Sequence, residues 1–186
     1  MRKSFSTVTV AAVTFLLLTA GHAAADTYSS TIADFKKASV TKKFFDGAYA
    51  YAVFPKIGKG GLGVGVAYGK GKAYRNNTFT GFSEMSQGSI GFQAGGQVYS
   101  EIIFFQDKRA YEHFTSGNFE FGAEASAVAI TAGAQAKAGS TGASASANKN
   151  QADIDYRNGI AVFTLTRGGL MYEAAVKGQK FSFTPK

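Results

Sequence analysis

Apolar and polar positions alternate with period two through most of this chain, and only a few stretches depart from that rhythm. Ala48 to Phe54 alternates into a strand that Pro55 should stop. From Leu62 onward, Leu62, Val64, Val66 and Tyr68 fall on one side of a strand, with Gly63, Gly65 and Ala67 on the other. This pattern predicts a half-buried strand whose nearly bare glycine side packs against something bulky, such as Phe104 or Phe105. Arg75-Asn76-Asn77 reads as a turn, Ile90 to Gln97 as another glycine-containing strand, and VYSEIIFF (Val98 to Phe105) as a central strand. Near the end, IAVFTLT, LMYEAAV and KFSF read as strands separated by turns at Arg167-Gly168-Gly169 and Lys177-Gly178.

Helical spacing appears twice. Asp26 to Phe45 reads as one helix: Thr31 and Asp34 resemble a capping box, and Ile32, Phe35 and Ala38 share a face, although Val40 and Phe44 fall off it. Asp107 to Phe114 reads as a short second helix, with Asp107 as its cap and Gly117 as its stop. Between 123 and 150 the chain is rich in Ala, Ser and Gly. Its alanines keep a period of two that slips at Ile130-Thr131, predicting a strand with a bulge there and a poorly ordered stretch up to Asn150.

Short alternating runs joined by tight Gly-Lys and Gly-Gly turns are hairpin connections, whereas parallel strands need crossovers of a dozen residues or more. The expected fold is therefore α+β: a mostly antiparallel sheet or partly closed barrel, with an N-terminal helix and a second short helix.

The stretch Ile57–Lys72 concentrates seven glycines and three lysines, with Lys56 directly before it. Gly58, Gly60, Gly61, Gly63 and Gly65 read as backbone devices that permit a tight turn and close approach to a neighbouring strand. Lys56 and Lys59 would crowd one end of the segment, and Lys70 and Lys72 the other. Gly58, Gly60 and Gly63 also spell G-x-G-x-x-G, with Glu84 about twenty residues on. A dinucleotide site needs a helix directly after the glycines to meet the pyrophosphate. Here a strand pattern follows, and the match fails on context.

Charge and targeting narrow the partners. Residues 1–25 combine Arg2 and Lys3, an apolar run from Val8 to Thr19, and Ala23-Ala24-Ala25 before Asp26, which is the layout of a secretory signal peptide. The run is shorter than the ~20 residues of a spanning helix. The expectation is one domain over 26–186, secreted or periplasmic after cleavage and possibly peripheral to a membrane. The full chain carries a net charge of +8, and without the leader eighteen basic residues face twelve acidic ones, a net +6. Such a surplus favours anionic partners. Export argues against nucleic acid, as does the scatter of the basic residues in twos rather than in a run. With no cysteine, the domain has neither a disulfide nor a thiol to acylate and must fold on packing alone.

Catalytic chemistry finds little to work with. Past the leader, the only histidine is His113, which reads as a surface or packing residue, and the closest acidic pair, Asp153 and Asp155, reads as a solvated turn or strand edge. The expectation is a non-enzymatic protein with no cofactor and no metal.

AVFPKIGKGGLGVGVAYGKG (52–71), SIGFQAGGQVYSEIIFF (89–105), the short helix after it, the small-residue segment and GGLMYEAAVKGQKFSF (168–183) occur in the order in which the SYLF domain family shows them. The chain resembles that family over nearly all of residues 26–186. The resemblance implies a lipid-binding module; eukaryotic members bind phosphoinositides through basic residues and an N-terminal amphipathic helix, and some bind or bundle actin. Lys56 and Lys59 match the family's motif lysines, while Lys70 and Lys72 are added as the cations at the far end of the same segment. The partner expected is an anionic phospholipid or membrane surface. The alternative is a structural or protein-interaction domain of the cell envelope, for which the small-residue strand near Ala123 would suit edge addition.

Overall fold

The structure, a computed structural model, describes residues 27–91, 97–122, 127–131, 154–166, 176 and 178–186. The expected leader, the LMYEAAV strand apart from the buried Val176, the Gly168-Gly169 turn and Asp153 lie outside them, as does the small-residue segment apart from residues 127–131.

Helix α1 spans residues 27–37 and α2 spans Ser39–Gly47. The single N-terminal helix expected from the sequence is thus two. Ala38 is extended, with φ −78° and ψ 120°, and at the break the buried Thr41 hydroxyl lies within donating distance of the carbonyls of Phe35 (2.5 Å) and Ala38 (2.9 Å), which also accept from the Ala38 and Thr41 amides at 3.1 Å. The break resets the helical phase. That is why Val40 and Phe44, off the face set by Phe35, are nonetheless buried beside it. Thr31 is no cap either: its hydroxyl donates back to the Thr27 carbonyl within the helix, at 2.8 Å.

Strand β1 (Ala50–Arg75) runs for 26 residues, and a two-residue turn joins it to β2 (Thr78–Gly91). Asn76 and Asn77 form that turn with φ of 49° and 60°, the left-handed pair that matches the twist of a hairpin. After β2 come β3 (Gln97–Phe105), α3 (Lys108–Thr115), β4 (Phe119–Glu120), β5 (Ala127–Thr131), β6 (Ile160–Thr166) and β7 (Lys180–Pro185). Asp107 caps α3 as expected, accepting from the Ala110 amide at 2.8 Å, and Gly117 follows its end with φ 86°.

Among the described residues the strands form one sheet in the order β4-β7-β2-β1-β3-β6-β5, curled into a half-barrel. Every pairing is antiparallel except β5 with β6, which the chain reaches through a crossover long enough for parallel strands. β5 pairs through Ile130 and Thr131 with no shift of register, so the bulge expected at that slip is absent.

β1 is the axis of the sheet. Its first part, Ala50 to Lys59, pairs with β3, and its second, Gly63 to Arg75, with β2. Pro55 does not stop it. The β3 pairing shifts between Phe54 and Ile57, and the proline, lacking a donor, sits in that irregularity while its carbonyl accepts from the Ser100 hydroxyl at 2.7 Å. The turn expected at the glycines after Ile57 is a bend inside the strand rather than a break in it: Gly58 and Gly60 lie within the strand and have open space where a side chain would be. Only Gly61 has a positive φ, 149°, and there a Cβ would collide with the Val64 carbonyl oxygen.

The two faces of the sheet carry separate cores. The inner face gathers Phe54, Ile57, Met85, Ile103, Phe105 and Phe181 under Phe114 of α3. The outer face packs Tyr51, Val53, Ile102, Phe104 and Phe163 against Phe35 and Phe44 of the N-terminal helices. In the second part of β1 it is the small-residue side that packs, as expected, but against Phe54 and Ile57 rather than Phe104 or Phe105. Ala67 and Ala73 are buried, while Val64, Val66 and Tyr68 are 67%, 65% and 47% exposed. The inner face is small because the first part of the same strand packs on it: a Cβ on Gly71 would lie 2.5 Å from the Phe54 ring, and one on Gly69 2.6 Å from Ile57 Cγ1.

Candidate functional site

Because β1 doubles over itself, residues far apart along it become neighbours. Pro55, Lys56 and Gly58 from its first part and Tyr68, Gly69 and Lys70 from its second line one open groove of about 320 Å³. Lys56 is exposed and has no ion pair among the described residues. Lys70 lies 3.3 Å from Glu84, directly across the β1–β2 ladder. The hydrogen bond to Glu84 is the main cause that holds its ammonium above the usual lysine range, with Tyr68 beside it adding to the effect. The Tyr68 hydroxyl is likewise pushed up, first by desolvation and then by Glu84.

The four lysines singled out by sequence thus do not divide into the pairs expected. Lys56 and Lys70, from opposite ends of the segment, share the groove. Lys59 is half-buried opposite Gln97 and does not line it. Lys72 lies in an aromatic cage, its ammonium 4.5 Å from the Tyr28 ring of α1, 5.4 Å from Phe79 and 5.8 Å from Phe82. Of the glycines singled out, Gly61 has the conformational need just described, Gly58 and Gly60 have none from packing, and Gly63 and Gly65 pair with Gly91 and Ser89 of β2.

A second groove, about 450 Å³, lies between β2, β4 and β7. Glu84, Glu120 and Lys180 line it, and Lys180 is paired with Glu120 at 3.6 Å, so its charge selects no ligand of one sign.

Sequence reasoning missed a polar cluster inside the half-barrel. Glu101 is fully buried on β3, between Phe54 of β1 and Thr164 of β6 in the ladder. Its Oε2 accepts from Gln179 Nε2 at 3.1 Å, and the same amide donates to the Tyr99 hydroxyl at 3.3 Å. Glu101 Oε1, Gln179 Oε1 and Thr164 Oγ1 have no hydrogen-bond partner among the described residues. Desolvation pushes the Glu101 carboxyl up to about 7, only partly offset by the Gln179 hydrogen bond. The trace visible in the sequence is one carboxylate within the apolar run VYSEIIFF.

His113 is an exposed residue of α3 with its ring edge-on to Phe119 at 5.1 Å, a packing contact. Among the described residues no three His, Cys, Asp or Glu side chains are gathered to hold a metal, and no helix is long and apolar enough to cross a membrane.

Residues 86–185 match the model of a family described as Ysc84, Las17-binding protein actin regulator. The chain is also similar to beta cell expansion factor A of Aeromonas veronii, at 28% identity over 148 residues, which are 79% of this chain and 50% of that protein. The chain therefore spans about half the length of that curated relative.

Proposed function

Since the chain belongs to the SYLF family, the family of that Ysc84 model, we propose that it is a non-enzymatic lipid-binding module that associates with anionic phospholipid headgroups through lysines of β1. The observation that carries this reading is the groove in which Lys56 and Lys70 flank the exposed Tyr68. Each free ammonium near an anionic leaflet contributes roughly 1 kcal/mol, so Lys56, with Lys59 close by in the strand, supplies most of a modest, salt-sensitive affinity, and Lys70 adds less because Glu84 already partners it. Lys72 is the weakest of the four candidates, since its ammonium is already engaged by three rings. The setting we propose is the cell envelope or the exterior, after removal of residues 1–25.

The test is sedimentation with vesicles. Wild type should be retained on anionic vesicles and not on neutral ones, and less so as salt rises. Lys56→Glu combined with Lys70→Gln, which keeps a donor for Glu84, should remove most of that retention while circular dichroism stays unchanged. Retention equal to wild type would move the site, with Lys36, Lys37, Lys42 and Lys43 of the N-terminal helices the next to replace.

A protein-interaction role in the envelope is the second reading, and the position of β5 favours it. Among the described residues this small-residue strand is an edge of the sheet, with β6 on its other side, and an edge can accept a strand from a partner. Failure to bind either kind of vesicle would favour it.

A further inference from the structure

The outer face of the sheet is only partly covered. The N-terminal helices seal it over Tyr51, Val53 and Phe104, and Tyr28 of α1 reaches as far as Lys72. Beyond that point β1 presents, in order, Lys70, Tyr68, Val66 and Val64, and the two valines are 65% and 67% exposed. Their exposure is built into the packing. Turning the strand over would bring the valines to an inner face where even a Cβ on Gly69 or Gly71 has no room.

The order of these side chains is that of a bilayer surface crossed from outside inward. Lysine ammonium groups come first, then a tyrosine, a residue type that settles at the interface with its ring in apolar surroundings and its hydroxyl wet. Branched aliphatic groups follow. Along an extended strand Val66 lies about 13 Å past Lys70, enough to carry it through a headgroup layer of roughly 5–8 Å. Glu84 stands opposite Lys70 at 3.3 Å and balances it, so the net charge beside this stripe is that of Lys56, which has no ion pair among the described residues; an anionic lipid surface is its complement, whereas a purely apolar protein partner would leave that ammonium buried without a counter-ion.

We infer that the Val64–Val66 segment of β1 inserts into the acyl boundary of an anionic bilayer, with Tyr68 at the interface and Lys56 and Lys70 on the headgroups. This rests on the lipid-binding reading and adds to it a depth of insertion and two apolar contact residues.

The chain contains no tryptophan, so Val66→Trp installs a single fluorescent reporter at an exposed position. On vesicles of equal phosphatidylglycerol and phosphatidylcholine its emission should shift to the blue and be quenched by lipids brominated near the top of the acyl chains. Neither change should occur on phosphatidylcholine alone. Val64→Asn with Val66→Asn should lower retention of the otherwise native protein on the anionic vesicles about tenfold or more, with the melting temperature kept. Bound protein whose indole is neither shifted nor quenched would overturn insertion and leave headgroup binding standing. Absence of wild-type binding to the anionic vesicles would overturn both. A blue shift without lipid, accompanied by dimers in sedimentation equilibrium, would show that a second copy covers the stripe and would also overturn insertion.

Discussion

Among the described residues Glu101 has no cation beside it and only one hydrogen bond to its two oxygens, from Gln179. Burial therefore outweighs that hydrogen bond, and the sign of its effect on stability follows. Its carboxyl titrates near 7 in the folded chain against 4.5 when exposed. Below the lower value the group is neutral in both states and costs nothing. As pH rises from there to about 7, the unfolded chain ionises freely while the folded one resists, so stability is lost, by roughly 3 kcal/mol in total. Glu101→Gln should remove this dependence: the variant should unfold at higher denaturant than wild type at pH 8 and show a smaller advantage, or none, at pH 4. A pH slope unchanged by the substitution would place the titrating group elsewhere. VYSEIIFF announces a central strand, and the ladder puts it between β1 and β6. What the run could not announce was that its carboxylate meets an amide 78 residues later, because no local pattern encodes that pairing.

At the scale of elements, the legible parts were those whose signals are local. α3 with its Asp107 cap, β6 as IAVFTLT and the Asn76-Asn77 turn follow from side-chain and backbone preferences within a few residues. The break at Ala38 has no proline or glycine to mark it; it is supported by a buried threonine that could equally have sat in a continuous helix. β1 shows a different limit. A period of two separates the faces of a strand but does not say which one meets the core. Large side chains usually decide, and here they do not, because the inner side is already filled by Phe54 and Ile57 from the same strand. The groove shared by Lys56 and Lys70 was hidden for the same reason, since it exists only once the strand has doubled over. Gly71→Val, which drives methyl groups into the Phe54 ring, should cost about 1–3 kcal/mol or more by chemical denaturation. Gly58→Ala, at a site with open space and no positive φ, should be neutral or stabilise by up to ~1 kcal/mol. Equal stability of the two variants would refute the close packing of β1 upon itself.

Considered whole, the molecule does not divide where the family match does. Residues 86–185 include β3, β6 and β7 but omit all of β1 and most of β2. β3 would then lose one of its two neighbours and β7 nearly all of its β2 ladder. A chain of residues 86–186 should accordingly show no cooperative melting transition, whereas 26–186 should melt in one step; a cooperative fragment would make β1 an accessory. The proposed leader is testable at the same scale. Mass spectrometry of protein from its native host should find Asp26 as the first residue, and intact residues 1–25 would place the protein elsewhere.

The C-terminal strand closes the other side of β2, where Ser83 donates to the Ser182 carbonyl across a separation of 99 residues. Closing a loop of that length costs entropy that is repaid only once the contact has formed, which slows folding toward the millisecond-to-second range typical of non-local β topologies. For a chain made from its N-terminus, β2 therefore has one unpaired edge until the residues of β7 have been synthesised, and until then that edge is open to whatever keeps nascent strands from pairing with one another.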